Sequence, residues 1–168
     1  MYKMPLEEID QKLMPILMGV ADPEIPEISI IDLGIVKTCK QMGEKSIFIE
    51  ITPTYTGCPA MDMISVNIKS AFQEAGYDHI DLKLVLSPTW TSDWISERGR
   101  EKMKAYGIVP PIEKTNDKSF INGEAKVVPC PRCESQNTEL ISLFGSTACK
   151  SLYKCLECLE PFDYFKCH

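Results

Sequence analysis

Four cysteines near the C-terminus stand as two Cys-x-x-Cys pairs, and this spacing constrains the fold more than any other feature of the chain. The pairs are Cys130 with Cys133 and Cys155 with Cys158. Two intervening residues allow both thiolates of a tight turn to point at one ion, and a hairpin between the turns can bring the pairs together. The pattern therefore predicts a tetrahedral four-thiolate cage in a small C-terminal module.

The segments around these cysteines favour short strands, so a zinc ribbon is the expected form of the module. Strand-forming residues occupy 138–144 and 149–154, and the aromatic side chains of 162–165 mark a third run. A unit this small cannot bury enough apolar surface, so metal binding would supply most of its folding free energy. Zinc is the favoured ion, and iron or a small iron–sulfur cluster is the open alternative. Such a closed site is structural rather than catalytic.

Three other side chains of types that can bind metal lie in the same module. Free cysteines are commonly buried as small hydrophobic residues, and we interpret Cys149 in this way. Cys167 and His168 end the chain, where a solvated tail is favoured over a secondary metal site.

Length and charge narrow the class of protein. The chain of 168 residues is long enough for one ordinary domain and a small appended one. Its net charge is -6 and neither part is basic, which argues against a nucleic-acid partner. The N-terminus turns acidic at once, and no apolar run approaches the roughly 18 residues that span a bilayer. We therefore expect no membrane association and a cytoplasmic protein whose cysteines are reduced or metal-bound.

The periodicity of apolar residues upstream predicts an α+β fold, with a small mixed sheet packed by helices and followed by the zinc ribbon. Pro15 should kink or shorten the first helix. The predicted helices are 6–19, 59–75 and 92–106, and the predicted strands are 34–40, 46–52 and 80–87. The domains expected from this pattern are 1–109, a linker at 110–125, and the ribbon at 126–168.

A lone cysteine, Cys58, immediately precedes the most regular of the predicted helices. The unpaired N–H groups and the positive dipole end of a helix start favour a thiolate, which can act as a nucleophile, a redox site or a metal ligand. A buried cysteine without chemistry is the equally weighted alternative. His79 lies beyond the far end of the same helix, so no Cys-His catalytic pair is predicted.

An acidic turn between two prolines is the second candidate feature. Asp22 and Glu24 sit beside Pro23 and Pro26, which forbid a helix there. The simple interpretation is a solvated turn. The functional interpretation is that these carboxylates meet Cys58 and the hydroxyls of Thr52 and Thr54 in one shallow site.

Two sets of segments resemble known families. The stretches 22–26, 32–36 and 52–59 look like the α+β domain of iron–sulfur cluster assembly factors related to SufT. The stretches 86–94, 106–108, 144–150 and 160–166 resemble the PaaD family, also called PaaJ. Members of that family are accessory proteins of the phenylacetyl-CoA epoxidase, a multicomponent di-iron monooxygenase of aerobic phenylacetate degradation. The combined resemblance covers nearly the whole chain.

This resemblance implies a non-enzymatic role in maturing the metal centres of the epoxidase. By analogy, Cys58 would hold iron or an iron–sulfur cluster transiently, with Asp22, Glu24 and Thr54 as neighbours. The implied partners are the oxygenase and reductase subunits, and a dimer mate or a client would supply a second thiolate. The chain contains no repeated Glu-x-x-His and no dinucleotide fingerprint, so it is not expected to be the oxygenase itself.

Two other roles stay open at this point. The chain could be a stoichiometric structural subunit that bridges the oxygenase and reductase, with Cys58 merely buried. A thiol enzyme that uses Cys58 is the third hypothesis, and it requires a lowered thiol pKa.

Overall fold

Two small mixed sheets carry the fold, and the predicted α+β class is confirmed. The computed structural model describes residues 8–112 and 127–166. These residues form two units that divide between Gly99 and Arg100. The predicted linker therefore lies almost wholly outside the described residues, as do Cys167 and His168.

The first unit contains a three-stranded sheet and its helices. Its elements are α1 Met14–Met18, β1 Val36–Gly43, β2 Ser46–Ile51, α2 Ala60–Glu74, β3 His79–Leu84, a 3-10 turn Ser92–Trp94 and the start of α3 Glu97–Ala105. The sheet order is β1-β2-β3, in which β1 and β2 form the predicted antiparallel hairpin and β3 runs parallel to β2. Parallel neighbours need a crossover, and α2 supplies it. The core face of β2 carries Ile47, Ile49 and Ile51, all buried.

The first predicted helix is wrong in extent. It begins only at Met14 and ends at Met18, with Pro15 in its first turn. Proline is tolerated in that turn because the N–H it lacks would have no helical partner there. Pro15 thus shortens the helix, which was one of its two predicted effects, by starting it and not by kinking it. The preceding Ile9 instead makes an isolated bridge with Cys39 on β1.

The predicted helix 92–106 is also wrong, because it is interrupted. A 3-10 turn covers Ser92–Trp94, and α3 begins separately at Glu97. The hydroxyl of Ser96 accepts a hydrogen bond from the Gly99 N–H at 2.9 Å, which caps the helix start. The Ser96 N–H in turn donates to the Asp32 carbonyl at 2.9 Å. This long-range contact fixes where the helix starts.

A buried carboxylate, Asp32, joins the turn before β1 to the start of α3. Its side chain is 1% exposed. Its oxygens accept hydrogen bonds from the hydroxyl of Ser29 at 3.1 Å, the hydroxyl of Ser96 at 2.8 Å and Nε of Arg98 at 2.9 Å. Burial raises the pKa of Asp32, but the Arg98, Ser96 and Ser29 hydrogen bonds together outweigh it and lower that pKa.

The residues after Asp32 are held by two tryptophans. Gly34 has φ of 73°, and a Cβ at this position would lie 2.5 Å from the Trp94 carbonyl oxygen. Only glycine therefore fits both the left-handed backbone and the close approach. The Trp90 indole N–H donates to the Leu33 carbonyl at 3.0 Å. The motif that carries the sequence resemblance at 32–36 is thus a packing feature.

The second unit is the ribbon, and its three predicted strands are confirmed. They are β5 Thr138–Ser142, β6 Lys150–Cys155 and β7 Pro161–Phe165. A two-residue strand, β4 Ile108–Val109, adds parallel to β7 and gives the sheet order β4-β7-β6-β5. We predicted that the first domain would extend to residue 109, whereas β4 belongs to the sheet of the second unit. Tyr153 and Phe162 stack in its core with ring centroids 5.8 Å apart.

Among the described residues, no helix combines the length and the apolar character that crossing a bilayer requires.

We predict that Asp32→Asn lowers the free energy of unfolding by about 2 kcal/mol at pH 7, because the amide cannot accept all the hydrogen bonds aimed at the carboxylate. The folded-state pKa is depressed, so this stabilisation is present above the unfolded value near 3.8 and is lost as pH falls through the folded pKa. The difference from wild type should therefore shrink in acid. Urea unfolding at pH 7 and pH 3 measures both effects.

Asp93→Asn is the matched control, because Asp93 is an exposed carboxylate in the 3-10 turn. It should leave stability within about 0.5 kcal/mol of wild type. Equal stability of Asp32→Asn and Asp93→Asn at pH 7 would contradict the role given to Asp32.

Candidate functional site

The four predicted ribbon cysteines converge at one end of the second sheet. Their sulfur atoms all lie within 4.8 Å of one another. The Cys130 and Cys158 sulfurs are 3.6 Å apart, and those of Cys133 and Cys155 are 3.5 Å apart. A tetrahedral ion with metal–sulfur bonds of about 2.3 Å would place its sulfurs about 3.8 Å apart. The donor set and its spacing therefore fit a four-thiolate metal site.

Both cysteine turns share one backbone device. The residue after the second cysteine is left-handed in each turn, at Glu134 with φ of 60° and at Leu159 with φ of 63°. This conformation is uncommon for residues other than glycine. It is held by hydrogen bonds in each turn: the Glu134 N–H donates to the Cys130 carbonyl, and the Cys155 N–H donates to the Glu160 carbonyl, both at 2.9 Å. The two turns are equivalent knuckles that aim paired sulfurs at one point.

Side chains also link the two knuckles to each other. Arg132 and Glu160 form an ion pair at 2.7 Å, and the Asn137 amide donates to the Glu157 carboxylate at 2.8 Å. These exposed contacts contribute little stability on their own. They orient the knuckles so that the sulfurs remain close together.

The thiols of the cluster differ in acidity. The backbone N–H of Cys158 is the largest influence that lowers the pKa of Cys155, to about 7. The Ser135 backbone N–H lowers the pKa of Cys133, but desolvation and the neighbouring thiols outweigh it and raise that pKa to about 12. One thiolate therefore forms readily, and its hydrogen-bonded neighbours hold their protons until a cation displaces them.

The second candidate site lies between β2 and α2, where the chain turns into the helix at Cys58. Gly57 reverses the loop with φ of 81°, and the Cys58 N–H donates to the Tyr55 carbonyl at 3.3 Å. The thiol is half-buried, not sealed in the core. It accepts hydrogen bonds from the backbone N–H of Ala60 and from the side chain of Tyr55. Reasoning from the sequence did not identify Tyr55, because a tyrosine in a loop carries no signal of its own.

The acidic turn acts electrostatically on this thiol. The charges of Glu24 and Asp22 both raise the pKa of Cys58, which places the carboxylates within electrostatic reach of its sulfur. Asp22 is 7% exposed, so the interpretation of a solvated turn does not hold for it. One of its carboxylate oxygens accepts the N–H groups of Glu24 at 2.8 Å and Ile25 at 2.9 Å, which locks the turn.

The acidity of Cys58 differs from the expectation for a helix start. Burial is the largest influence and raises its pKa, while the Ala60 N–H and the Tyr55 hydroxyl lower it less. Glu24 and Asp22 add to the increase. The thiol is therefore protonated at neutral pH, and the arrangement does not favour an activated nucleophile.

Thr54 has the fewest interactions with the other predicted site residues. It lies half-buried on the same loop. Within the described part of the chain, no hydrogen bond joins its hydroxyl to Cys58 or to the carboxylates. A ligand role for Thr54 stays a prediction, as do the roles of Cys58, Asp22 and Glu24.

Comparison with known families divides the chain as the two units suggest. Residues 10–76 match the family described as "Iron-sulfur cluster assembly protein", a span that includes both the acidic turn and Cys58. Residues 114–166 match the family described as "PaaD zinc beta ribbon domain", which includes all four ribbon cysteines. The predicted ribbon is thus confirmed by family as well as by geometry.

Two curated relatives extend this result. A protein of Escherichia coli, provisionally named as one of the subunits of 1,2-phenylacetyl-CoA epoxidase, is 45% identical over 156 residues, which is 93% of this chain and 92% of the relative. A protein of Porphyromonas gingivalis named Fe-S protein maturation auxiliary factor is 26% identical over 91 residues, which is 54% of this chain and 86% of the relative.

A solved structure supports the fold of the first unit. It is a domain of unknown function from Bacillus anthracis, with a TM-score of 0.51 and 26% sequence identity. The match covers 55% of this chain and 88% of that domain.

For the ribbon, we predict one tightly bound metal ion per chain, because four converging thiolates complete a tetrahedral shell. Cys133→Ser should lose this ion, whereas Cys58→Ser should keep it. Elemental analysis of the purified chains measures the content. Chelation should also abolish the amide exchange protection of 130–160, since the metal stabilises this small core. A ribbon that stays protected after complete chelation would contradict the prediction.

For the thiol site, we predict that Glu24→Gln lowers the pKa of Cys58 and speeds its alkylation at pH 8. The cause is the loss of a nearby negative charge that opposes the thiolate. A rise of roughly twofold in the rate is expected from the removal of one partly screened charge. Mass spectrometry of the peptide that contains Cys58 measures the rate.

Glu27→Gln is the control for this experiment, because Glu27 is an exposed carboxylate three positions further along the same loop. It should leave the rate unchanged. Equal rates for Glu24→Gln, Glu27→Gln and wild type would show that the acidic turn does not act on the thiol.

Proposed function

Since the chain belongs to the PaaD family, whose E. coli relative is named as a component of the phenylacetyl-CoA epoxidase, we propose that it is a cytoplasmic accessory protein of that enzyme system. It acts in aerobic phenylacetate catabolism. Its task is to assist assembly of an iron or iron–sulfur centre in the oxygenase or reductase component. The chain itself carries out no oxygenation.

The observation that carries this proposal is the electrostatic effect of two carboxylates on the Cys58 thiol just before α2. Glu24 and Asp22 disfavour a bare thiolate at Cys58, because all three groups would then be negative. A bound cation reverses this effect, because the same charges attract it and the thiol proton is displaced. Such a site is poorly suited to nucleophilic chemistry and well suited to holding a metal ion.

The small number of ligands explains why binding would be transient. Cys58 offers one sulfur, whereas iron–sulfur clusters are held by several thiolates. The remaining ligands must come from a client or from a second chain. An incomplete shell allows iron to pass on to a partner that completes it, and this is the behaviour that an assembly factor requires.

The ribbon has a separate role in this proposal. Four thiolates closed around zinc leave no open coordination position, so its ion stabilises the fold and is not passed on. At the end of β5 away from the cysteines, the ribbon exposes Ile141, Leu143 and Phe144, at 52%, 45% and 65% of their surfaces. Exposed apolar side chains grouped in this way are typical of surfaces that contact other proteins. The ribbon therefore docks the epoxidase components.

A stable structural component of the complex is the second candidate function. It is favoured by the same exposed apolar side chains and by the name of the E. coli relative, which places that protein among the epoxidase subunits. In this role the chain would remain at a fixed ratio in the active epoxidase. Quantitative co-purification before and after activation separates the two: dissociation of the chain supports the assembly role.

We expect wild-type protein to take up Fe²⁺ at the Cys58 site without oxygen and to transfer it to the apo-epoxidase components. Cys58→Ser should retain its ribbon metal and lose this transfer, because serine offers no thiolate. The measurement is metal content and absorption during reconstitution with iron and sulfide, followed by epoxidase activity in cells.

Cys39→Ala is the matched control, since the Cys39 thiol is sealed in the core and burial raises its pKa to about 12. It should transfer iron like wild type. The assembly mechanism fails if Cys58→Ser transfers iron and activates the epoxidase as well as wild type does.

A further inference from the structure

The outer edge of β3 leaves the first sheet incomplete. β3 is the last strand in the order β1-β2-β3, and no strand among the described residues pairs with its far side. An edge strand presents unpaired N–H and C=O groups that can pair with another strand. Six residues, His79–Leu84, make up this edge.

The core face of the sheet continues onto this edge, where it is only partly covered. Ile80, Leu82 and Leu84 stand beside Ile47, Ile49 and Ile51 in the parallel register. The isoleucines of β2 are at most 1% exposed, whereas Leu84 is 54% exposed. Leu86, just beyond the strand, is 58% exposed. The buried apolar layer thus ends in solvent at the edge of β3.

The backbone direction identifies which residues of β3 offer free groups. The N–H groups of His79 and Val85 point toward β2, where they bond the carbonyls of Lys45 at 3.1 Å and Ile51 at 2.8 Å. Backbone groups alternate in direction along a strand. Those of Ile80, Leu82 and Leu84 therefore point outward, from the same residues whose side chains continue the core face.

The opposite charges of Asp81 and Lys83 on β3 make this strand complementary to a second copy of itself. We propose that β3 pairs antiparallel with β3 of a second copy of this chain, about a two-fold axis at Leu82. In this register Asp81 faces the partner's Lys83, and Lys83 faces the partner's Asp81. Ile80 then faces the partner's Leu84, so the exposed leucine is covered by an apolar side chain. The two sheets become one continuous sheet across the axis.

Each part of this pairing is favourable for a physical reason. Opposite charges and apolar pairs directly across an antiparallel ladder each stabilise it, while like charges destabilise it. The outward groups of Ile80, Leu82 and Leu84 meet their own counterparts, as a self-complementary two-fold interface requires. In the single chain, the Lys83 ammonium lies 5.0 Å from the Phe48 ring centroid, on the face opposite the core, and from there it can extend across the edge.

This proposal goes beyond the proposed function and does not depend on it. Cys58 takes no part in the pairing, so failure of iron transfer and failure of dimerisation are separate results. If both hold, the dimer brings two assembly sites into one particle.

Charge exchange tests the register. Sedimentation equilibrium over a range of concentrations gives the dimer dissociation constant of wild type, Asp81→Lys, Lys83→Asp and the double variant. Each single variant places like charges opposite each other at both symmetry-related positions, and should weaken the dimer by roughly tenfold or more. The double variant restores opposite charges and should return to within roughly threefold of wild type. Lys69→Glu on the exposed face of α2 is the control that should leave the constant unchanged.

Amide exchange locates the contact independently. The amides of Ile80, Leu82 and Leu84 should become protected as concentration rises, in step with the dimer population. The proposal is overturned if wild type stays monomeric to millimolar concentration, or if the single variants match wild type. It is equally overturned if the double variant stays as weak as the singles. Protection of these amides in the monomer would overturn it by showing that the same chain covers the edge, and protection only with epoxidase subunits would overturn it by showing a foreign strand there.

Discussion

The first unit depends on one buried carboxylate. Asp32 is nearly inaccessible to water, yet it stays ionised because two hydroxyls and a guanidinium are directed at it. One hydroxyl belongs to Ser29, near Asp32 in the sequence, whereas Ser96 and Arg98 are 64 and 66 residues away. The carboxylate therefore joins the turn before β1 to the start of α3. A buried charge tolerates few alternative arrangements, because losing a partner costs more than an exposed ion pair ever contributes. The close approach of Gly34 to Trp94 follows from the same junction.

The Cys58 site shows opposing electrostatic effects. A helix start and its N–H groups favour a thiolate, whereas burial and two carboxylates favour the thiol. Burial and the carboxylates have the larger effect and raise the pKa of Cys58. Cys58 is therefore not the activated nucleophile that its position before a helix suggests. The same imbalance favours a cation, since positive charge relieves the repulsion among Cys58, Glu24 and Asp22. The electrostatics of the site therefore oppose nucleophilic attack by a thiolate.

The ribbon was the part of the chain most open to prediction. Its metal site could be predicted from the cysteine spacing, because the geometry of a Cys-x-x-Cys turn depends only on residues that are adjacent in the sequence. Its strands followed for the same reason, with errors of one or two residues at their ends. The left-handed residues Glu134 and Leu159 were not predicted, because neither residue type favours that conformation. The short strand β4 was missed because only pairing with β7 makes it a strand.

In the first unit, sequence alone determined the hairpin, the crossover helix α2 and the position of Cys58 at its start, all of which depend on short-range periodicity or on one helix boundary. The tertiary structure decided where α1 and α3 begin, because Pro15 and Ser96 act through contacts that hydropathy does not describe. It also decided the acidity of Cys58, since the pKa of a thiol depends on charges brought near it by folding. Periodicity is a property of neighbouring residues, whereas burial and electrostatic potential are sums over the folded chain. That difference in physical origin separates what could be predicted from what could not.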